Sequence, residues 1–389
     1  MALTGRKTRI AVLGDLHYEA ADDQTFRDAR RQILAHRPDA VFQLGDQGGY
    51  SHCGTWLSFQ EGVDFLSGFE LPFHSLIGNH DLEGFEYSSD QQAVAAWCQA
   101  FDREQPYYTV DLGEALGICL SSTGFRLNSG CHHEVRLGSQ QLSWLKATLA
   151  RNRSRPTFAF AHAPVLGSGL RVLQNLHLKC PNAWLNHTDQ PGELMPILAD
   201  NPQVKLWFSG HDHLGHSYQD SVSQVGSCTF VHTGVIGPVS RDGARHTRMV
   251  EFSRQGFALY TVDHKTGGKI LDVEHDYAVG ESRRVSPVEV ADESRHFPPL
   301  PYSAAFEAHR IEESAFAIHR GMVVEYDVSL AAPLGVVTEV DDEDRLDMSG
   351  GQLQIVSPTK GIRHFRPGSH GRYFHIFNPN PWQLKRLSA

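Results

Sequence analysis

Residues 9–17 read Arg9-Ile10-Ala11-Val12-Leu13-Gly14-Asp15-Leu16-His17, an apolar run that stops at glycine and is followed at once by a carboxylate and an imidazole. A short continuous apolar run bounded by Gly has the character of a buried strand. The glycine at its end permits a tight turn and close backbone approach. The same grammar recurs down the chain. Ala40–Leu44 leads into Gly45-Asp46, and Phe73–Ile77 into Gly78-Asn79-His80-Asp81. Thr157–Ala161 leads into His162, and Val204–Phe208 into Ser209-Gly210-His211-Asp212-His213. Between the first two runs, Thr25–His36 places Phe26, Ala29, Ile33 and Leu34 on one helical face. Strand–helix–strand alternation predicts a largely parallel buried sheet, with function-bearing loops at the carboxyl ends of its strands.

Further along, Tyr107–Val110 and Leu116–Leu120 flank Gly113 as a predicted hairpin, and Ser139–Leu149 reads as a helix opened by a Ser cap. Cys228–His232, Arg248–Phe252 and Phe257–Val262 read as a closing run of antiparallel strands. The expected catalytic unit is α/β, two sheets face to face with helices outside, over residues 1–280. Near residue 280 the composition shifts, and His296-Phe297-Pro298-Pro299-Leu300-Pro301 reads as a linker or an ordered wrap. Beyond it Met322–Val328, Gly335–Val340, Leu353–Val356 and Tyr373–Phe377 are short β-type segments. Residues 281–389 are therefore read as linker plus a small β-rich unit, suited to capping or dimerisation.

The chain has 389 residues, 40% of them hydrophobic, ample for packed cores. Its formal charge of −10 repels phosphate backbones, and there is no Lys/Arg run, so a nucleic-acid partner is not expected. An anionic substrate would instead be drawn by a local positive centre, which bound metal can supply. Cys53, Cys98, Cys119, Cys131, Cys180 and Cys228 are scattered and read as free thiols. The N-terminus lacks the apolar core of a signal peptide and no long apolar run is present, so a cytoplasmic protein without a membrane span is the default expectation. A trimmed leader would leave the same picture, with a periplasmic location.

Five of the 23 histidines fall inside the clusters that follow the strands. Each cluster alone also reads as an ordinary turn, since Asn and Asp favour turns. All five together, each at a strand end, are far more restrictive. Mixed His, Asp and Asn donors suit Zn, Mn, Fe or Co better than Ca or Mg. Two cations held close together need a shared anion to offset their repulsion, and Asp46 is the candidate bridge.

These five blocks resemble the calcineurin-like metallophosphoesterase superfamily, in its cyclic-nucleotide phosphodiesterase and purple acid phosphatase-like branch, over roughly residues 8–265. The resemblance implies a four-layer α/β/β/α sandwich and two divalent or trivalent transition-metal ions. It places Asp15, His17, Asp46 and His213 on one metal and Asp46, Asn79, His162 and His211 on the other. His80 would face the phosphate and Asp81 would orient it. It further implies attack on phosphorus by a water activated between the metals. The position of the purple-phosphatase Tyr ligand is Gly49 here, with Tyr50 one residue later, so an Fe(III)–tyrosinate centre is not expected. A phosphatase acting on a small phosphomonoester is the leading expectation. A phosphodiesterase for cyclic nucleotides or other small diesters is the alternative, and a non-catalytic metal-stabilised scaffold is the alternative from another class. Oligomeric state is left open, a homo-oligomer included.

Weaker candidates are His132-His133, read as exposed loop residues, and His52, Tyr50 and His74, not expected as ligands. His216 is a candidate rim residue, and His232 either touches the site or does not. Asp212 is expected to support its turn. Trp184, Asn186 and His187 lie in a long insert suited to a lid, and His370, Arg372, Tyr373 and His375 are the segment of the C-terminal unit that could reach the site.

Overall fold

A computed structural model describes residues 7–124, 137–165, 168–174, 191–217, 221–240, 242–280 and 282–286, Val135, and seven strands beyond them. The expected roles of His132-His133, Trp184, Asn186, His187, the 296–301 wrap, His370, Arg372 and Tyr373, and the thiols of Cys131 and Cys180, lie outside these residues.

In chain order the first half runs β1 (Thr8–Leu13), α1 (Asp23–Ala35), β2 (Ala40–Gln43), α2 (Trp56–Ser67), β3 (Phe73–Ser75), α3 (Asp90–Ala100), β4 (Tyr108–Asp111) and β5 (Leu116–Cys119). Then come α4 (Ser139–Arg151), β6 (Thr157–Phe160), β7 (Arg171–Gln174), α5 (Pro191–Ala199), β8 (Val204–Ser209), β9 (Val222–Val225) and β10 (Cys228–His232). The unit closes with β11 (His246–Ser253), β12 (Gly256–Asp263), β13 (Lys269–Asp276) and β14 (Ser282–Arg284). One sheet has the order β14-β13-β12-β11-β1-β2-β3 and the other β4-β5-β6-β8-β10-β9. The parallel pairings β1·β2, β2·β3, β5·β6, β6·β8 and β10·β8 put the carboxyl ends of β1, β2, β6 and β8 on the site side.

Three apolar cores make four layers. Phe42, Phe158, Phe160, Phe208, Phe252 and Leu259 fill the space between the sheets. Phe26, Ile33, Phe59, Leu66 and Trp97 pack α1–α3 against the first sheet, and Leu142, Leu145, Leu149, Ile197 and Trp207 pack α4 and α5 against the second. Phe42 of β2 stacks on Phe160 of β6 with ring centroids 4.0 Å apart, a direct inter-sheet contact next to two of the site loops. The expected α/β/β/α sandwich is thus observed.

Three details differ from the sequence reading. The first sheet is mixed, since β1 pairs antiparallel with β11. β10 does not join β11 and β12 but lies parallel to β8 in the second sheet. Helix α4 is capped by Gly138 rather than by a Ser side chain. The four described cysteines, Cys53, Cys98, Cys119 and Cys228, are free.

Beyond residue 286, β15 (Ala315–Ala317), β18 (Arg345–Asp347), β19 (Leu353–Ser357) and β20 (Gly361–Phe365) form one sheet, and β16 (Val323–Tyr326), β17 (Pro333–Val336) and β21 (Phe374–Phe377) form another with β7. The β-rich character expected there is present. β21 pairs antiparallel with β7, so a strand of the insert after His162 belongs to a sheet whose other strands come from the C-terminal part.

Arg248 of β11 ties the two sheets through their core. It is fully buried, and its Nε donates to the His232 carbonyl at 2.9 Å while Nη1 donates to Asp272 Oδ2 at 2.8 Å and Thr261 Oγ1 at 3.0 Å. Burial lowers its pKa to about 10 although Asp272 opposes this. Removing one partner of such a pair strands a buried charge. Asp272→Ala is expected to destabilise the fold by about 3–5 kcal/mol, read by urea denaturation. An unchanged midpoint would show that Arg248 is satisfied without its carboxylate.

Candidate metal centre

Asp15 and His17 follow β1, Asp46 follows β2, Asn79 and His80 follow β3, His162 follows β6, and His211 and His213 follow β8. All of the candidate donors except His211 are buried, and His211 is only half-covered. Four of these residues hold left-handed backbone: His17 (φ 41°), Asp46 (φ 57°), His211 (φ 69°) and His213 (φ 52°). Such conformations cost about 1–3 kcal/mol each in residues other than glycine, and their concentration on one site marks a geometry imposed for function. Gly45 takes the remaining left-handed turn (φ 96°) before Asp46, and a Cβ on Gly78 would collide with the Asp46 carboxylate.

The side chains meet as two donor groups. Ligand atoms of Asp15, His17, Asp46 and His213 all lie within 4.8 Å of one another, and so do those of Asp46, His162 and His211. Asp46 belongs to both. Its Oδ2 lies 3.3 Å from His162 Nε2 and 3.7 Å from His17 Nε2, while Oδ1 accepts the His80 backbone N–H at 2.9 Å. Asn79 Oδ1 lies 2.9 Å from His162 Nε2, which places Asn79 in the second group. Asp15 Oδ2 accepts the His211 N–H at 2.7 Å, and its Oδ1 lies 3.6 Å from His162 and His213. His162 Nδ1 lies 2.7 Å from the Leu44 carbonyl and His213 Nδ1 3.3 Å from that of Val239, which turns the Nε2 atoms inward.

These contacts are poor as a hydrogen-bonded core. His17 Nε2 and His213 Nε2 are 3.2 Å apart, and His162 Nε2 and His211 Nδ1 3.0 Å apart, so without a cation each pair needs a proton between its nitrogens. Asp15 Oδ1 and Asp46 Oδ2 are buried without a well-formed hydrogen bond. Buried carboxylate oxygens and facing imidazoles gain what they lack from a cation set among them, and the nitrogen and oxygen donor set suits a transition metal. Electrostatics agrees. Burial opposes ionisation of Asp15, but His162 and His213 hold its carboxyl below the usual range. Burial likewise opposes Asp46, which His162 and His80 hold well below it. Burial and His213 press His17 down to about 3, so it presents a neutral ring. Burial works against the charge on His162 too, yet Asp46 and Asp15 raise its pKa to about 9. In the metal-free chain a proton on His162 thus does work that a cation would take over.

Asp81 holds backbone N–H groups instead of the His80 ring that it was expected to orient. The Asp81 carboxylate accepts the backbone N–H groups of Asp46, Gln47 and Gly78, each at 2.8 Å, and so fixes the loops that carry Asp46 and Asn79. The carboxylate beside His80 is Glu83, 2.9 Å from Nδ1. Burial opposes protonation of His80, but Asp46, Cys53 and Glu83 together hold its pKa well above the ordinary value.

His52 lies 2.6 Å from Glu61 and His74 packs against Phe42 at a tilt, and neither enters the donor groups. His216 is no rim residue: it is buried, with Nδ1 2.8 Å from Thr261 Oγ1 and Nε2 accepting the Gly234 N–H at 2.7 Å. His232 is buried behind the site and Asp212 is buried in its turn, neither within the donor groups. At Gly49 a side chain would have to displace the end of the Glu19 side chain. Tyr50 instead stacks on His17 with centroids 4.4 Å apart and is 55% exposed, an aromatic face at the mouth that the motif spacing did not single out.

A family model of calcineurin-like phosphoesterases matches residues 8–215. The 3',5'-cyclic adenosine monophosphate phosphodiesterase CpdA of Escherichia coli is 30% identical over 179 residues, 46% of this chain and 55% of that protein, so the match spans about half of that relative. A Rhodopseudomonas palustris protein named "Probable cyclic nucleotide phosphodiesterase RPA0124" is 25% identical over 218 residues, covering 53% of this chain and 71% of its own. In fold, a dimetal phosphatase of Danio rerio superposes with a TM-score of 0.50 at 14% identity, covering 66% of this chain and 96% of its own. The five strand-end blocks, their convergence in one sandwich and the match over residues 8–215 together place the chain in the calcineurin-like phosphoesterase family.

Proposed function

We propose that the chain is a hydrolase of small phosphoric esters with a dinuclear metal centre. The observation that carries this reading is the pair of buried donor groups sharing Asp46. Asp15, His17, Asp46 and His213 would hold one cation, and Asp46, Asn79, His162 and His211 the other, each a Zn, Mn or Fe ion. When bound, the cations supply Lewis acidity and positive charge for the phosphoryl group. The chain's own residues do the rest. Asp81 keeps the Asp46 and Asn79 loops in register. His80, set beside Glu83 through Nδ1, offers Nε2 to a phosphoryl or leaving-group oxygen as a proton donor. Tyr50 offers a flat face to a planar leaving group.

Within this class we favour small phosphodiesters, cyclic nucleotides among them, over the phosphomonoesters favoured by sequence alone. The support is the naming of both curated relatives together with the exposed Tyr50 ring beside the donor groups. No described helix is long and apolar enough to cross a membrane, and the proposal needs no membrane or nucleic-acid partner. The proposal also divides the chain into a catalytic unit, 1–280, and a small β-rich unit, 281–389, that caps the site or mediates dimerisation; the β7·β21 pairing supports the former role.

The test is a panel of cyclic AMP, bis-p-nitrophenyl phosphate and p-nitrophenyl phosphate, run on the full chain and on a chain ending at Ser286. Diester hydrolysis exceeding monoester hydrolysis, with altered substrate preference in the shorter chain, is expected. Faster monoester turnover would restore the phosphatase reading, and no turnover with metal bound would favour a binding scaffold. Identical preferences in both chains would remove the C-terminal unit from the site.

A further inference from the structure

A third group of donors abuts the two already described. Cys53, His80 and Glu83 each offer a ligand atom, and these atoms lie within 4.8 Å of one another. Cys53 Sγ is 3.6 Å from Glu83 Oε2, and His80 Nδ1 is 2.9 Å from Glu83 Oε1. Tetrahedral zinc with ligands at about 2.0–2.3 Å sets its donors about 3.3–3.5 Å apart. The two distances run to different Glu83 oxygens, but one ligand atom from each residue lies within 4.8 Å of the others, and a side-chain adjustment brings the three to that spacing. All three residues are partly exposed, His80 and Glu83 by 14% and 17% of their side chains, so an ion can reach them.

The backbone builds this arrangement. Gly54 is left-handed (φ 67°), and a Cβ there would meet Gly84 N at 2.5 Å and the His80 carbonyl at 2.7 Å. The loop bearing Cys53 is therefore seated directly on the turn bearing His80 and Glu83. That turn is a 3-10 helix, His80–Leu82, in which side chains three residues apart eclipse, so Glu83 stands over His80.

We propose that Cys53, His80 and Glu83 form an inhibitory zinc site beside the catalytic centre. Thiolate, imidazole and carboxylate together suit Zn²⁺, with a fourth position left to solvent. On binding, the Cys53 thiol and His80 Nδ1 each release a proton to solvent as the Zn–S and Zn–N bonds form, and Glu83 donates an oxygen. The ion then pins the His80 ring through Nδ1 and sets a divalent charge beside the catalytic centre, which restrains the ring in the reaction proposed for it. The inhibition, though not the binding, rests on the function proposed above.

The test uses the full chain, titrated with Zn²⁺ for stoichiometry and activity and with Co²⁺ for spectroscopy. Three equivalents are expected, the third slowing turnover on the order of 100-fold. Cobalt should show a thiolate charge-transfer band. Cys53→Ser should abolish that band, weaken the third site on the order of 100-fold and remove the slowing by the third equivalent, measured against the variant's own rate at two equivalents. Glu83→Gln is a second variant that should lose the band while keeping the thiol. Two equivalents with full turnover and no thiolate band would overturn the zinc site and leave the proposed function standing. A band that persists in Cys53→Ser would also overturn it. A single equivalent carrying the Cys53-dependent band would support the zinc site and sink the dinuclear centre, and no binding at all would sink both.

Discussion

Asp46→Asn is expected to strip the protein of metal and of activity together. In the proposed second metal site Asn79, His162 and His211 would be neutral ligands, so Asp46 would supply its entire negative charge. In the first group Asp15 is the other carboxylate. A unit charge pair at about 4 Å is worth about 4 kcal/mol at an effective dielectric constant near 20, and a divalent ion doubles it. Loss of that attraction at both cations corresponds to more than about a thousandfold in affinity, at about 1.4 kcal/mol per factor of ten. The amide keeps the shape and can still accept the His80 N–H through its oxygen, so the fold should survive. It also removes the larger of the two carboxylate charges that raise the pKa of His162, so the substituted site gains less by holding a proton there. Elemental analysis and turnover are measured together, with thermal unfolding as the control. A folded Asp46→Asn protein holding two metals and turning over normally would end the shared-bridge assignment.

What could be read beforehand follows from how local each signal is. The β1, β2, β6 and β8 ends were legible because an apolar run followed by Gly or His marks its own boundary; β1 is Thr8–Leu13 and β8 is Val204–Ser209, within a residue of the reading. Which strands pair is not local. β10 has the same apolar character as β11 and β12, yet it enters the other sheet, because its neighbours are chosen by packing over distant segments. The donor residues were legible as motifs, whereas their supports were not. Asp81 adjoins His80 in sequence, which suggests contact. In a 3-10 turn, however, the residue three positions on shares a side, and Glu83 takes the place beside the ring while Asp81 turns to backbone N–H groups. A glutamate at that spacing was the available signal. His216 shows the converse: a histidine near a motif that hydrogen bonds to Thr261 and Gly234 assign to the core.

His80→Ala separates chemistry from metal binding. The imidazole belongs to neither of the two groups that share Asp46, and the contact His80 makes to that carboxylate comes from its backbone N–H, which alanine keeps. Metal content is therefore expected to stay at the wild-type level. Turnover should fall about 10²–10⁴-fold, the usual contribution of a positioned proton donor. The size of the fall should depend on the leaving group. A nitrophenolate departs without much help, whereas an alkoxide or ribose oxygen needs a proton as the P–O bond breaks. The deficit should thus be smallest for p-nitrophenyl esters and largest for cyclic nucleotides or alkyl esters. Alanine also leaves Glu83 without the imidazole beside it, so a modest loss of thermal stability should accompany the substitution. A rate deficit uniform across leaving groups would assign His80 to charge stabilisation instead of proton donation, and an undiminished rate with a poor leaving group would remove it from the reaction.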